Sequence, residues 1–189
     1  RTFIQGVGTG STAVAMLAPQ EVKGASVTSP VGPGAVPMML QINGQVHNVE
    51  LEPRVTLLDA LRNQLDLTGA KKVCDRATCG SCTVIVDGQA TYACTILAIE
   101  AQGREIQTIE GFTMPSKMHA VSSQFVENDA QQCGFCTPGF VVACKAFLDK
   151  YPDPTMAEVE KGLGGNICRC GTYINIFRAV DSAVKAGGK

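Results

Sequence analysis

The feature that most constrains this chain is the spacing of its nine cysteines within 189 residues. In a secreted protein such cysteines could pair as disulfides. Disulfide scaffolds, however, are usually shorter and lack the close C-x2-C and C-x-C grouping found here. The cysteines therefore favour metal binding over disulfide formation.

Four cysteines form a first motif with the spacing C-x4-C-x2-C-x11-C: Cys74, Cys79, Cys82 and Cys94. Thiolates suit iron–sulfur clusters, and this spacing is that of plant-type ferredoxins. Gly80 lets the backbone pass close to the sulfurs, while Ala77 and Ser81 keep bulk away. We expect backbone N–H groups of this loop to point at the bridging sulfides and to stabilise the negative cluster. Zinc and disulfides are the alternatives. Zinc fits this spacing less well, because its usual sites are two CxxC knuckles. Disulfides fit less well for the reason given above.

A second motif consists of one C-x2-C pair and, after 31 intervening residues, one C-x-C pair: Cys133, Cys136, Cys168 and Cys170. Pro138 is well placed in the first turn of a helix that follows the first pair. Another predicted helix follows Cys170. Two helix N-termini directed at an anionic cluster would stabilise it. On spacing alone, a zinc site stays open as an alternative here.

Hydrophobic periodicity predicts two modules joined near Gly111–Pro115. The first is a small α+β domain, in which a capped helix from Thr56 and the cysteine loop separate two groups of strands. Its predicted strands are 38–42, 46–51, 83–86, 90–93 and 106–109, with turns at Asn43-Gly44 and Asp87-Gly88. The second module has four short amphipathic helical segments, which predict a small helical bundle.

The N-terminal residues 1–37 form a separate arm in this interpretation. The string Arg1-Thr2-Phe3-Ile4-Gln5-Gly6 resembles a twin-arginine export signal if another arginine precedes it. A flexible extension is the alternative. Residues 19–37 are rich in Pro, Gly and Ser, as in a linker.

Net charge and the residues outside the two cysteine motifs argue against several other classes of function. The net charge is −1 and no basic cluster occurs, so we expect no nucleic-acid partner. Membrane association is expected only through the N-terminal arm or a partner. Cys144 falls on an apolar helical stripe and is predicted to be a buried small hydrophobe. His47 and His119 have no partner pattern and are predicted to be ordinary surface residues, and no catalytic constellation occurs in the chain.

The motifs QCGFCTPG and NICRCG, together with the first loop, resemble the iron–sulfur subunit of the molybdenum hydroxylases. That family includes xanthine dehydrogenase, aldehyde oxidoreductases, aerobic carbon monoxide dehydrogenase and isoquinoline oxidoreductase. The resemblance implies a ferredoxin-like β-grasp domain over 38–111 and a four-helix bundle over 112–189, each with one 2Fe–2S cluster. Val73 and Ala77 stand where the family commonly has glycine, which would alter exposure or potential of the first cluster without removing a ligand.

The resemblance also implies roles for individual residues and partners. Gln132 matches the glutamine that contacts molybdopterin in a large partner subunit, and Cys170 matches the cluster ligand closest to it. Electrons from hydroxylation of an aldehyde or N-heterocycle would pass through both clusters to a flavin (FAD) subunit or a haem protein such as cytochrome c. Catalytic residues belong to the partner. The expected location is the periplasm, with the cytoplasm as alternative; a free ferredoxin-type carrier and a structural zinc protein are the alternative functions.

Overall fold

The computed structural model describes residues 31–114 and 117–187. The predicted N-terminal arm spans residues 1–37, and its residues 1–30, with the export-signal string, lie outside the described residues. Val36 and Pro37, predicted as linker, instead begin the first strand. In the described part, the strands are β1 (Val36–Ile42), β2 (Gln45–Leu51), β3 (Thr83–Val86), β4 (Gln89–Tyr92), β5 (Glu105–Gln107), β6 (Thr113–Met114) and β7 (Lys117–Met118). The helices are α1 (Leu57–Asn63), α2 (Ile109–Phe112), α3 (Ala120–Glu127), α4 (Thr137–Lys150), α5 (Met156–Gly162) and α6 (Tyr173–Lys185), with 3-10 turns at Ala93–Thr95 and Ala98–Ala101.

The first module is built on a mixed sheet with the strand order β2-β1-β5-β3-β4. Strand β1 pairs in parallel with β5, and the other neighbours are antiparallel. Both predicted tight turns are present, and their central residues have the positive φ angles that such turns require: Asn43, Gly44, Asp87 and Gly88. The α+β class predicted from the sequence is therefore confirmed.

Helix α1 packs into the core of this module and begins where the sequence predicts. The Thr56 side chain accepts a hydrogen bond from the Asp59 backbone N–H at 3.1 Å, which satisfies an unpaired donor of the first turn. Leu57, Leu58 and Leu61 are fully buried in the core of the module. The helix ends at Asn63, so the predicted Leu65 packs against the core from the following segment rather than from the helical stripe.

The second module is helical and has a separate core. Helix α3 packs against α4 and α6, and α5 packs against α6. Phe125, Phe140 and Ile176 are among its largest buried side chains. Pro138 lies in the first turn of α4, as predicted.

A buried apolar cluster is one of the places where the modules meet. Ile85 of β3 packs against Val142 and Ala146 of α4, with Ile109 and Phe112 at the edge. This contact brings the start of α4 close to the cysteine loop of the first module. Among the described residues, none of the helices combines the length and apolar character needed to cross a bilayer.

Candidate iron–sulfur sites

The first cysteine motif lies on one loop and one turn of the α+β module. Cys74, Cys79 and Cys82 lie between α1 and β3, and Cys94 lies in the 3-10 turn that follows β4. The hairpin of β3 and β4 therefore returns Cys94 to the loop. The Ala77 N–H points at Cys94 Sγ (3.4 Å), and the Thr78 N–H points at Cys74 Sγ (3.3 Å). Backbone donors of the loop are thus directed at two cysteine sulfurs, and their direction towards bridging sulfides stays a prediction.

The loop environment has opposite effects on the pKa of two of its thiols. Backbone hydrogen bonds, that of Arg76 first, together with the Cys79 thiol lower the pKa of Cys74 to about 7. Burial, together with the neighbouring Cys94 thiol, raises the pKa of Cys82 to about 12. Cys82 and Cys94 are the buried side of this site, whereas Cys74 and Cys79 are partly exposed.

Tyr92 at the end of β4 stands close to the whole first motif. Burial raises the pKa of its hydroxyl, and negative charge on the four cysteines of the motif raises it further. The hydroxyl donates a hydrogen bond to the Gly165 carbonyl oxygen at 2.8 Å. Tyr92 therefore connects the first site with the second module.

The second motif lies where helices α4 and α6 begin. Cys136 is the residue immediately before α4, and Cys168 and Cys170 precede α6. Burial raises the pKa of Cys136 to about 12. Burial also acts to raise the pKa of Cys168, but hydrogen bonding by Thr172 and by the Cys136 thiol lowers it to about 7. The Cys168 N–H donates to the Tyr173 hydroxyl at 2.9 Å, which fixes this ligand against α6.

The second site has a buried side and an exposed side. Cys168 is buried and Cys136 partly buried, whereas Cys133 and Cys170 are exposed. Gln132, which the family resemblance singles out, is also exposed. One end of this site therefore faces outward.

Within the described ranges the cysteine sulfurs meet as pairs: Cys74 with Cys79, Cys82 with Cys94, and Cys136 with Cys168. The same ranges contain no group of three or more His, Cys, Asp or Glu side chains placed to hold one metal ion. All eight candidate ligands are cysteine thiols, which is the donor type of 2Fe–2S clusters. The donor set therefore fits 2Fe–2S clusters.

The two sites are linked by the segment 165–167, which we call the junction segment. The Ile167 N–H donates to the Cys79 carbonyl oxygen at 2.9 Å. The Asn166 amide donates to the Gly80 carbonyl oxygen at 2.9 Å. Cys168 follows this segment directly, so a short path of bonds joins the two cysteine loops.

The structure adds a second reason for Gly80. The sequence predicted that this glycine allows the backbone to approach the sulfurs, and that role stays a prediction. A Cβ on Gly80 would also lie 2.7 Å from Asn166 Cγ and from the Gly165 carbonyl oxygen, and φ is +69°. Glycine is required there because the junction segment packs against it. Asn166 and Tyr92 were missed from the sequence, although Asn166 stands two residues before Cys168.

The structure also locates the ninth cysteine and the two histidines. Cys144 is 0% exposed within the helical core, as predicted, and burial raises its pKa. His119 is not an ordinary surface residue, because it is half-buried and its Nδ1 accepts a hydrogen bond from Val121 N–H at the start of α3. His47 lies on β2, is also only partly exposed, and belongs to neither cysteine site.

Comparison with known families describes both modules in terms of iron–sulfur binding. Residues 40–107 match the 2Fe-2S iron-sulfur cluster binding domain. Residues 108–181 match a second family described as a 2Fe-2S binding domain. The chain is therefore a protein with two 2Fe–2S-binding domains.

Individual relatives narrow the class to one family. The aldehyde oxidoreductase iron-sulfur-binding subunit PaoA of Escherichia coli O157:H7 is 38% identical over 193 residues, covering 94% of this chain and 84% of the relative. Quinoline 2-oxidoreductase from Pseudomonas putida 86 matches with a TM-score of 0.75 and 37% identity, over 82% of this chain and 99% of that chain. The aldehyde oxidoreductase of Desulfovibrio desulfuricans matches with a TM-score of 0.76 and 37% identity, over 81% of this chain but 17% of that longer chain.

The chain belongs to the family of iron–sulfur subunits of the molybdenum hydroxylases, as its motifs predicted. Members of this family transfer electrons, and substrate oxidation takes place on a partner subunit or domain. This membership argues against a structural zinc protein and against a free ferredoxin-type carrier.

Proposed function

We propose that this chain relays electrons from a molybdopterin centre in a large partner subunit to an external acceptor. The first cluster is held by Cys74, Cys79, Cys82 and Cys94, and the second by Cys133, Cys136, Cys168 and Cys170. The observation that carries the proposal is the hydrogen bond from Ile167 N–H to the Cys79 carbonyl, because it joins the two cysteine loops directly. When bound, each cluster supplies one-electron redox chemistry.

The exposed side of the second site supports its assignment as the entry point for electrons. Gln132, Cys133 and Cys170 are exposed. The neighbouring Phe135 and Ile174 are apolar but 52% and 67% exposed. Exposed apolar side chains around a redox site are typical of a surface that a partner covers. In this proposal Gln132 contacts the pterin, and Cys170 is the cluster ligand nearest to it.

The chain's own residues control the clusters in three ways. Backbone donors such as Ala77 N–H and Thr78 N–H stabilise negative charge on sulfur. Burial of Cys82 and Cys168 limits contact with water on the inner side of each site. The α4 N-terminus next to Cys136 adds a favourable dipole for an anionic cluster.

The proposal assigns the substrate to aldehydes or N-heterocycles, because the relatives named above are aldehyde and quinoline oxidoreductases. The acceptor is FAD in a further subunit or a cytochrome c-type haem protein. Residues 38–111 form the β-grasp domain and residues 112–189 the four-helix bundle. The packing of α3 on α4 and α6, and of α5 on α6, supports the bundle.

Purification of the native complex tests the relay. We expect the chain to copurify with a large molybdenum-containing subunit and to contain iron and acid-labile sulfide. Reduction by substrate should then bleach the cluster absorption of this chain. A stable monomer with clusters but no molybdenum-containing partner would contradict the assignment as a subunit.

We also propose that residues 1–37 direct export to the periplasm through a twin-arginine signal, since Arg1-Thr2-Phe3-Ile4-Gln5 resembles one. Cell fractionation tests this, with Arg1→Lys expected to retain the protein in the cytoplasm. Lys23→Arg, a matched change in the same arm, should leave export intact. Cytoplasmic wild-type protein would refute the proposal.

A further inference from the structure

Asn166 is a buried amide between the two cysteine loops. It is 6% exposed and lies in the junction segment, two residues before Cys168. Its Nδ2 donates to the Gly80 carbonyl oxygen at 2.9 Å and lies 3.3 Å from Thr83 Oγ1. Both partners belong to the first module. Because a buried amide is costly unless it is hydrogen-bonded, these bonds fix where the junction segment can lie.

The residues on either side of Asn166 contact the first module too. The Gly165 carbonyl oxygen accepts a hydrogen bond from the Tyr92 hydroxyl at 2.8 Å. The Ile167 N–H donates to the Cys79 carbonyl oxygen at 2.9 Å. The junction segment is thus held against the first cysteine loop at three consecutive residues, with Asn166 at the centre.

The Asn166 side chain is not needed to satisfy the Gly80 oxygen. That oxygen also accepts hydrogen bonds from Thr83 N–H at 3.1 Å and Thr83 Oγ1 at 2.6 Å. Removing the Asn166 amide therefore leaves the first loop with its own turn. The substitution removes the hydrogen bonds that the Asn166 side chain makes between the two loops and leaves the hydrogen bonds within each loop in place.

We propose that Asn166 is a positioning residue that holds the loop of the second cluster against the loop of the first and so sets the electronic coupling between the clusters. This inference rests on the ligand assignment of the proposed function. Electron tunnelling weakens steeply with distance and is aided by continuous bonded paths. The path from Cys79 through its carbonyl oxygen to Ile167 N–H and Cys168 stays short only while the junction segment remains in place.

The test compares Asn166→Ala with Asn175→Ala in the full chain loaded with clusters. Asn175 is a matched control, because its Nδ2 donates to the Asp129 carbonyl oxygen at 3.1 Å within the second module. The measurements are iron and sulfide content, the spin–spin splitting in EPR spectra of the fully reduced protein, and the rate of electron transfer between the clusters after rapid one-electron reduction.

Both variants should keep their iron, their sulfide and both EPR signals. Asn166→Ala should narrow the splitting and slow transfer between the clusters severalfold, because the junction segment is no longer held against the first loop by the Asn166 amide. Asn175→Ala should change neither. If Asn166→Ala fails to assemble, Asn166→Ser gives the same readout, because its shorter side chain does not reach the Gly80 oxygen.

Wild-type splitting and transfer rate in an assembled Asn166 variant would overturn the inference. So would an equal loss in Asn175→Ala, because coupling would then follow general stability. Wild-type protein with fewer than two clusters would instead refute the proposed function, so the two failures are distinguishable.

Discussion

Gly139 in the first turn of α4 lies directly against the backbone of Gly80 in the first cysteine loop. A Cβ on Gly139 would stand 2.5 Å from the Gly80 carbonyl oxygen and 3.0 Å from Ser81 Cα. Backbone atoms of that loop cannot move aside as a flexible side chain could. The helix that follows Cys136 can approach the first site only because residue 139 has no side chain.

Replacing Gly139 with alanine should therefore separate α4 from the first loop. We expect a loss of about 1–3 kcal/mol in stability, the usual cost of overpacking a close contact. The measurement is the thermal midpoint of the cluster-loaded protein. Gly34→Ala is the control, because nothing lies within 4 Å of its added Cβ and its φ is not in the positive range. Equal midpoints for the two variants would show that the contact does not limit packing.

Ala77 is held in a conformation that favours glycine, with φ at +57° in the first cysteine loop. Its sequence position is one where the related family commonly has glycine. Ala77→Gly should relieve the strain and raise stability by about 1 kcal/mol, or about 2–4 °C in thermal midpoint. Ala90→Gly on strand β4 should lower stability, because glycine loses more conformational entropy on folding than alanine does at an exposed strand position. A lower midpoint for Ala77→Gly would contradict the strain argument.

The ligand assignment predicts different outcomes for two cysteine variants. Cys79→Ser should remove about half of the iron and sulfide and one of two EPR signals, because a first-site thiolate is lost. Cys144→Ala should leave both signals, because Cys144 lies in the helical core at 0% exposure. Loss of a signal in Cys144→Ala would show that the ligand set is wrong.

His119 gives the protein a predicted pH dependence. Its Nδ1 accepts the Val121 N–H at 3.2 Å, and protonation of Nδ1 would remove this cap. Burial lowers the pKa of His119 below 6.5, and the positive charge of Lys145 lowers it further, while Asp149 opposes this shift. The unfolded chain therefore takes up the proton first as the pH falls, so stability decreases below about pH 6.5.

Thermal midpoints at pH about 7.5 and about 5.5 test this contribution. His119→Asn keeps a good capping side chain without the titration, so its midpoint should fall less between the two values. An identical fall in wild type and variant would assign the acid sensitivity to other groups.

Local patterns predicted the elements of this fold better than they predicted the contacts between them. Thr56 as a cap, Pro138 in a first turn and the Asn43-Gly44 turn depend on neighbours within four residues, so the sequence was sufficient. The contact of Asn166 with Gly80 joins residues 86 positions apart. Hydrophobic periodicity cannot predict this contact, because the contact forms only when the two modules pack together. The packing of the junction segment on Gly80 was therefore not predicted, although Gly80 itself was recognised as a loop glycine.

The exposed apolar residues beside the second site predict where the partner binds. Phe135 is 52% exposed between Cys133 and Cys136, and Ile174 is 67% exposed at the start of α6. Large apolar side chains at the centre of an interface contribute most of its binding energy. Phe135→Ser with Ile174→Ser should weaken association with the large subunit by at least about tenfold, corresponding to about 1.4 kcal/mol.

Gel filtration of the reconstituted complex, together with iron content, measures this effect. The variant should keep both clusters, because neither side chain supplies a ligand. Val46→Ser is the matched control, since Val46 is 64% exposed on the edge strand β2 of the other module. If Val46→Ser disrupted the complex while the double variant bound normally, the partner surface would lie on the sheet. The second cluster would then not be the one that faces the molybdopterin subunit.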